Sequence, residues 1–241
     1  MFKFVSFVSM REDLQVKFWE LGYVLRHLKR ALTVSEPCTG LCAFRRIAQL
    51  AEAPFKVVNA YEIDSRYNQY YDRTATIDCA SSITVTCSRH ADITQIALSS
   101  LENSELFMAG PPCTPWCSPG ERAGLLDNRS EPYETCIDMV IELAQRGCLL
   151  MFLIENSPEM YGTDFLANML EKLDACIPFF TIDVKILELN DIWPCKRNRL
   201  YVRGMRKDCL LDKIPEPIQY IAHASGANVV FLRIDRHCSK Q

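Results

Sequence analysis

The chain has 241 residues, 49% hydrophobic and 24% charged, with 27 Lys and Arg against 30 Asp and Glu for a formal net charge of −3. This is the profile of one globular domain with at most a small appendage. Nine Gly and twelve Pro exclude a fibrous or low-complexity chain, and the longest apolar run, CLLMFLI at 148–154, falls far short of the ~18 residues a membrane span needs. A charge so near neutral also argues against coating nucleic acid by bulk electrostatics, so any nucleic-acid contact must come from a local patch.

In chain order, MFKFVSFVSM runs straight into Arg11, Glu12 and Asp13, unlike a secretory signal, and the protein is expected to be intracellular. Residues 12–31 predict an amphipathic helix. β-rich runs follow at 31–36, 57–62 (VVNAYE), 83–87 (ITVTC), 105–110 (ELFMAG), 149–155 (LLMFLIE), 182–189 (IDVKILEL) and 199–204 (RLYVRG). Between them, 43–53, 66–72, 133–147 and 163–175 predict helices, the third with Ile137, Val140, Ile141 and Ala144 on one face. Strands that alternate with helices need crossovers, which predicts an α/β fold: a mainly parallel sheet with helices on both faces. In such sheets the ligand site lies beyond the carboxyl ends of the strands.

Twelve cysteines are many for this length. Scattered through apolar segments, as Cys148, Cys176 and Cys209 are, they read as reduced thiols acting as small hydrophobes. Cys38 with Cys42 and Cys113 with Cys117 would together supply four zinc thiolates, but both pairs sit among Pro and Gly in segments that read better another way, and no metal is assigned.

The strand ends carry CTGLCAF (38–44), EID (62–64), ADIT (91–94), GPPCTPWCSPG (110–120), ENSP (155–158) and PCKRNR (194–199). This ordered set resembles the DNA cytosine-5 methyltransferase family, whose members carry, in turn, a Gly-containing cofactor loop, an acid for the cofactor ribose, an Asp for the adenine, G-P-P-C, E-N and R-x-R. Asp127-Asn128-Arg129, closing the loop after Gly120, has the family's look as well. The resemblance implies a Rossmann-like S-adenosylmethionine-dependent methyltransferase fold. It divides the chain into an N-terminal helical extension (1–32), a methyltransferase catalytic core (33–204) and a short C-terminal segment (205–241) in place of a target-recognition domain. Gly40, Glu62, Asp92 and Pro111 are then the expected cofactor-binding residues, and Cys113, Glu155, Arg197 and Arg199 the expected catalytic ones.

The chemistry gives its own reason for these residue types. Carbon 5 of cytosine is a poor nucleophile, so a thiolate must first add to carbon 6 and convert the ring to an enamine. Cys113 is the candidate, its geometry fixed by the two prolines before it. Attack builds negative charge on the ring, and a carboxyl at the end of an apolar strand, Glu155, can hold a proton for ring nitrogen 3. The resemblance gives Arg199 the carbonyl oxygen of the base, and Arg197 the Cys113 loop or the adjacent phosphate. Both lie in KRNRLYVRGMRK (196–207), which has six basic residues and no acid.

The sequence departs from the family in its cofactor loop, where Cys38 stands at an aromatic position and Cys42 at a glycine position. A Cβ there restricts φ and crowds the ligand. Cys195, Cys117 and Ser157 replace the usual Gln, Ser and Val. The expected activity is methyl transfer to carbon 5 of cytosine in DNA, with a partner protein as one source of sequence recognition. Two alternatives stay open. One is the same chemistry on RNA, against which the C-F-T tripeptide of the tRNA-directed branch is absent; the other is an impaired member that binds without turnover.

Overall fold

The apolar runs form strands in the computed structural model, which describes residues 31–40, 54–69, 83–85, 91–117, 127–188 and 198–209. Among these are β1 (Leu32–Pro37), β2 (Phe55–Tyr61), β3 (Ile83–Val85), β4 (Leu106–Ala109), β5 (Met151–Asn156), β6 (Phe180–Glu188) and β7 (Asn198–Arg206). They make one sheet in the order β3-β2-β1-β4-β5-β7-β6. Every pairing from β3 to β5 is parallel, whereas β7 runs antiparallel to both of its neighbours. The mainly parallel sheet read from the alternation is present, and β7 is its exception. Only nine residues separate β6 from β7, fewer than the dozen or more a parallel crossover needs, and the two strands pair antiparallel.

Leu32, Val34, Val57, Ala60 and Phe107 are buried, which is why the central strands read as short, almost unbroken apolar runs. Asn59 is a buried polar exception. Its Nδ2 donates to Ser35 Oγ (2.8 Å) and to the Glu102 carbonyl (2.7 Å), and its Oδ1 accepts from Glu102 N (2.9 Å). A buried amide satisfied in this way ties β1 and β2 to the segment that leads into β4.

Helix α1 (Glu131–Gln145) opens with Pro132, where no backbone donor is needed, and with Glu131 and Glu134 in its first turn, where the helix dipole favours acids. Ile137, Val140 and Ala144 recur at helical spacing and join Phe152 and Ile154 of β5 in the core. Gly147, at φ 75°, ends the helix in a left-handed turn. Helix α2 (Asp164–Cys176) is capped by Thr163, whose Oγ1 accepts from Leu166 N at 3.3 Å, and buries Phe165, Leu166 and Leu173. Residues 65–69 are helical, matching the start of the expected 66–72 segment. The expected helices at 12–31 (apart from Ala31) and 43–53, and residues 210–241, lie outside the described residues.

Gly204 on β7 faces Phe152 on β5. A Cβ at Gly204 would lie 2.1 Å from Phe152 Cε1 and 2.4 Å from Cζ, and Phe152 is fully buried. Gly204→Val is therefore expected to destabilise the fold by about 3 kcal/mol through overpacking. A urea midpoint equal to that of the unmutated chain would show instead that the ring moves aside freely.

Candidate active site

The parallel strands deliver their carboxyl ends to one edge of the sheet. There β1 runs into Cys38-Thr39-Gly40, β2 into Glu62, β4 into Gly110-Pro111-Pro112-Cys113, and β5 itself ends in Glu155-Asn156. Because β7 is antiparallel, its first residues reach the same edge, with Leu200 opposite Asn156 and Tyr201 opposite Glu155. The result is an ion pair of 2.6 Å between Arg199 Nε and Glu155 Oε1. Arg199 Nη1 also donates to the Asn198 carbonyl at 2.8 Å. Two of the three guanidinium nitrogens are thus held, which fixes the plane of the group. Arg197 lies outside the described residues.

A cavity of about 830 Å³ opens beside these strand ends, within the size range of small-molecule sites. Of the expected cofactor residues, Gly40, Glu62 and Asp92 line it, with Thr39, Pro112 and Glu155. Pro111 does not: it is buried, and its carbonyl accepts from Asn156 Nδ2 at 3.2 Å, so Pro112 forms the wall instead. Glu62 shapes the loop above the cavity. Its Oε2 accepts from Gly40 N at 2.7 Å and its Oε1 from Asp64 N at 2.9 Å, while Thr39 N donates to the Tyr61 carbonyl at 3.2 Å. Asp92 Oδ1 accepts from Thr94 N and Oγ1, at 3.0 and 2.9 Å, and so caps the short turn Ile93–Gln95.

The wall is mixed in character, as a nucleoside-amino acid conjugate such as S-adenosylmethionine requires. Ile63 and Tyr67 offer exposed apolar surface next to the Glu62 carboxylate. The side chain of Thr39, buried on the wall, has a hydroxyl with no hydrogen-bond partner among the described residues, which suits a polar ligand. Gly40 takes φ 49°, the left-handed conformation that glycine adopts without penalty. Cys38 takes φ 54°, and for a residue with a Cβ this costs roughly 1–2 kcal/mol. Cys42, expected to crowd the ligand, lies outside the described residues; the observed departure sits at Cys38, whose side chain packs against the core that holds Cys136 of α1 and helps push the Cys136 thiol up.

After Pro112 the chain makes one tight turn, with Trp116 N and Cys117 N both donating to the Cys113 carbonyl, at 3.0 and 3.1 Å. Trp116 anchors this turn. It is buried against Phe165 of α2 (ring centroids 4.9 Å apart) and Tyr133 of α1 (5.9 Å). Asn156 supplies the second anchor: fully buried, it binds the Pro111 carbonyl through Nδ2 and Ser157 N through Oδ1. Its position next to Glu155 was the signal for it in the sequence. Burial pushes the Cys113 thiol above its ordinary pKa; Cys117 pushes it further, Arg199 pulls it down and Glu155 pushes it up.

The strand order and the cavity at the carboxyl edge define a Rossmann-like methyltransferase fold. The family model for C-5 cytosine-specific DNA methylase matches residues 35–231, and the chain belongs to that family. Among solved structures it is similar to the Dnmt2 methyltransferase of S. pombe, at 19% identity and TM-score 0.58, covering 87% of this chain and 58% of that one. It is also similar to the methyltransferase EhMeth of Entamoeba histolytica, at 17% identity and TM-score 0.56, covering 78% and 56%. A DNMT2 variant from Spodoptera frugiperda matches at 18% identity and TM-score 0.55, covering 74% and 51%. The chain thus spans little more than half the length of these proteins. No curated protein matches it.

Proposed function

We propose that this chain transfers a methyl group from S-adenosylmethionine to carbon 5 of cytosine in DNA through a covalent adduct at Cys113. The observation that carries the reading is the Glu155–Arg199 ion pair, set beside the Cys113 turn and the cavity at one edge of the sheet. Gly40, Glu62, Asp92 and Pro112 would hold the cofactor, which supplies the electrophilic methyl group when bound. The target base must leave the duplex to reach this edge.

As the base is seated, Glu155 takes up a proton from water and shares it with ring nitrogen 3, while Arg199 donates to the carbonyl oxygen, so charge that develops on the ring is met by groups already in place. Neutralising Glu155 also removes one of the charges that push Cys113 up, and the thiolate forms where it is needed. Cys113 then adds to carbon 6 and carbon 5 takes the methyl group; water accepts the proton from carbon 5, the carbon–sulfur bond breaks to release the Cys113 thiolate, and ring nitrogen 3 gives its proton back to Glu155. Arg197 would steady the Cys113 turn or bind the neighbouring phosphate.

Tritiated methyl transfer to a mixed-sequence DNA duplex, with RNA of the same sequence alongside, tests this. Label is expected at carbon 5 of cytosine in DNA. Label in RNA alone would reassign the substrate, and label in neither would remove the reading.

Arg199→Ala is expected to lower transfer about 10²-fold. Because Arg199 favours the Cys113 thiolate, its loss should also raise the pH at which kcat/KM reaches its plateau. An unshifted pH profile would mean that Arg199 does not act on the thiol.

A further inference from the structure

We propose that Cys113 and Cys117 form an oxidative modification site, in which a peroxide closes a disulfide across the catalytic turn. The two thiols stand one turn apart in CTPWC. Cys117 N donates to the Cys113 carbonyl at 3.1 Å, the Cys117 thiol donates to the Thr114 carbonyl at 3.9 Å within the same turn, and it lies near enough to Cys113 to push that thiol up. Neither is in a disulfide and both are half-buried. Four residues of helical backbone place the α-carbons about 6 Å apart, inside the range a disulfide spans.

The β-carbons of such a turn lie about 5–6 Å apart, wider than the 3.5–4.5 Å of a relaxed bridge. Closing the bond therefore draws the turn in by about 1–2 Å, by the same geometry. A bridge strained in this way is readily reduced, which suits a reversible switch better than a structural link. Trp116, between the two cysteines, is wedged against Phe165 and Tyr133, so the strain falls on the backbone that aims Cys113.

The Cys113 thiolate attacks one oxygen of the peroxide; the O–O bond breaks, an S–O bond forms, and the hydroxide released takes a proton to become water. Cys117 then attacks the Cys113 sulfur. The S–S bond forms, the S–O bond breaks, and the departing hydroxide leaves as a second water with the proton from Cys117. Two thiols are oxidised by two electrons and one peroxide is reduced to two waters. The burial that raises Cys113 makes the first step slow, and the adjacent Cys117 captures the sulfenic acid before further oxidation.

That closing the bond stops methyl transfer rests on the function proposed above; formation of the bond does not. The test treats the full, reduced chain with hydrogen peroxide, blocks remaining thiols under denaturing conditions with N-ethylmaleimide, and digests it with trypsin. Residues 90–122 form one tryptic peptide that carries Cys113 and Cys117 and no other cysteine. This peptide is expected to become lighter by two hydrogens, to refuse the maleimide, and to regain both reactive thiols after dithiothreitol. In Cys117→Ser the same dose should instead leave Cys113 as sulfenic or sulfinic acid.

Sulfinic acid at Cys113 with Cys117 still alkylated in the unmutated chain would overturn the proposal, as would a bridge from Cys113 to any other peptide. Loss of methyl transfer that dithiothreitol restores is the expected companion result. A reduced chain with no transfer at all would fail the proposed function while leaving the mass result to decide the site.

Discussion

Cys113→Ser is expected to reduce methyl transfer below about one thousandth of the unmutated rate, with S-adenosylmethionine binding nearly unchanged. The serine hydroxyl is hardly ionised near neutral pH and adds poorly to carbon 6, whereas the thiol forms a useful thiolate once the site is complete. Cofactor binding should survive because Pro112, and not residue 113, lies on the cavity wall. Calorimetry for binding and tritium transfer for activity separate the two effects. Substantial transfer by the variant would remove Cys113 as nucleophile, and loss of binding would show that it props the cofactor site.

Glu155→Gln is expected to slow transfer by about 10²–10⁴-fold, the usual range for removing a positioned proton donor. The amide keeps the shape of the side chain but cannot hand a proton to ring nitrogen 3. Glu155 pushes the Cys113 thiol up in the free protein, so its neutral replacement should let Cys113 ionise at lower pH. The variant is therefore expected to react faster with iodoacetamide at neutral pH while it methylates more slowly. A variant slow in both reactions would show that Glu155 acts by holding the turn rather than by moving a proton.

Most of the sheet is readable from the chain because parallel strands buried on both faces leave short apolar runs, and the residues that follow them are the ones the fold presents. Cys113 and Glu155 are candidates of this kind, and the structure places both at the carboxyl ends of strands. What escapes such a reading is pairing across the chain. The short β6–β7 connection favours an antiparallel pair, but the pairing of β7 with β5, which brings Arg199 to Glu155, depends on which further neighbour the strand chooses and not on its own pattern. Asn156 looks like an accessory to Glu155 until its bond to the Pro111 carbonyl is seen. That bond also explains why Pro112 replaces Pro111 on the cavity wall, since successive prolines point in different directions and sequence alone does not say which. The left-handed Cys38 is hidden for a related reason: glycine advertises a positive φ, and cysteine does not.

The covalent step is tested most directly with a DNA duplex containing 5-fluorocytosine, because fluorine at carbon 5 cannot leave as a proton and the thioether stays closed. The full chain with S-adenosylmethionine is expected to give a shifted band on a denaturing gel, absent without the cofactor and absent in Cys113→Ala. A band that persists in Cys113→Ala, or no band from a protein that binds both cofactor and DNA, would contradict a Cys113 adduct as the route to the methylated base.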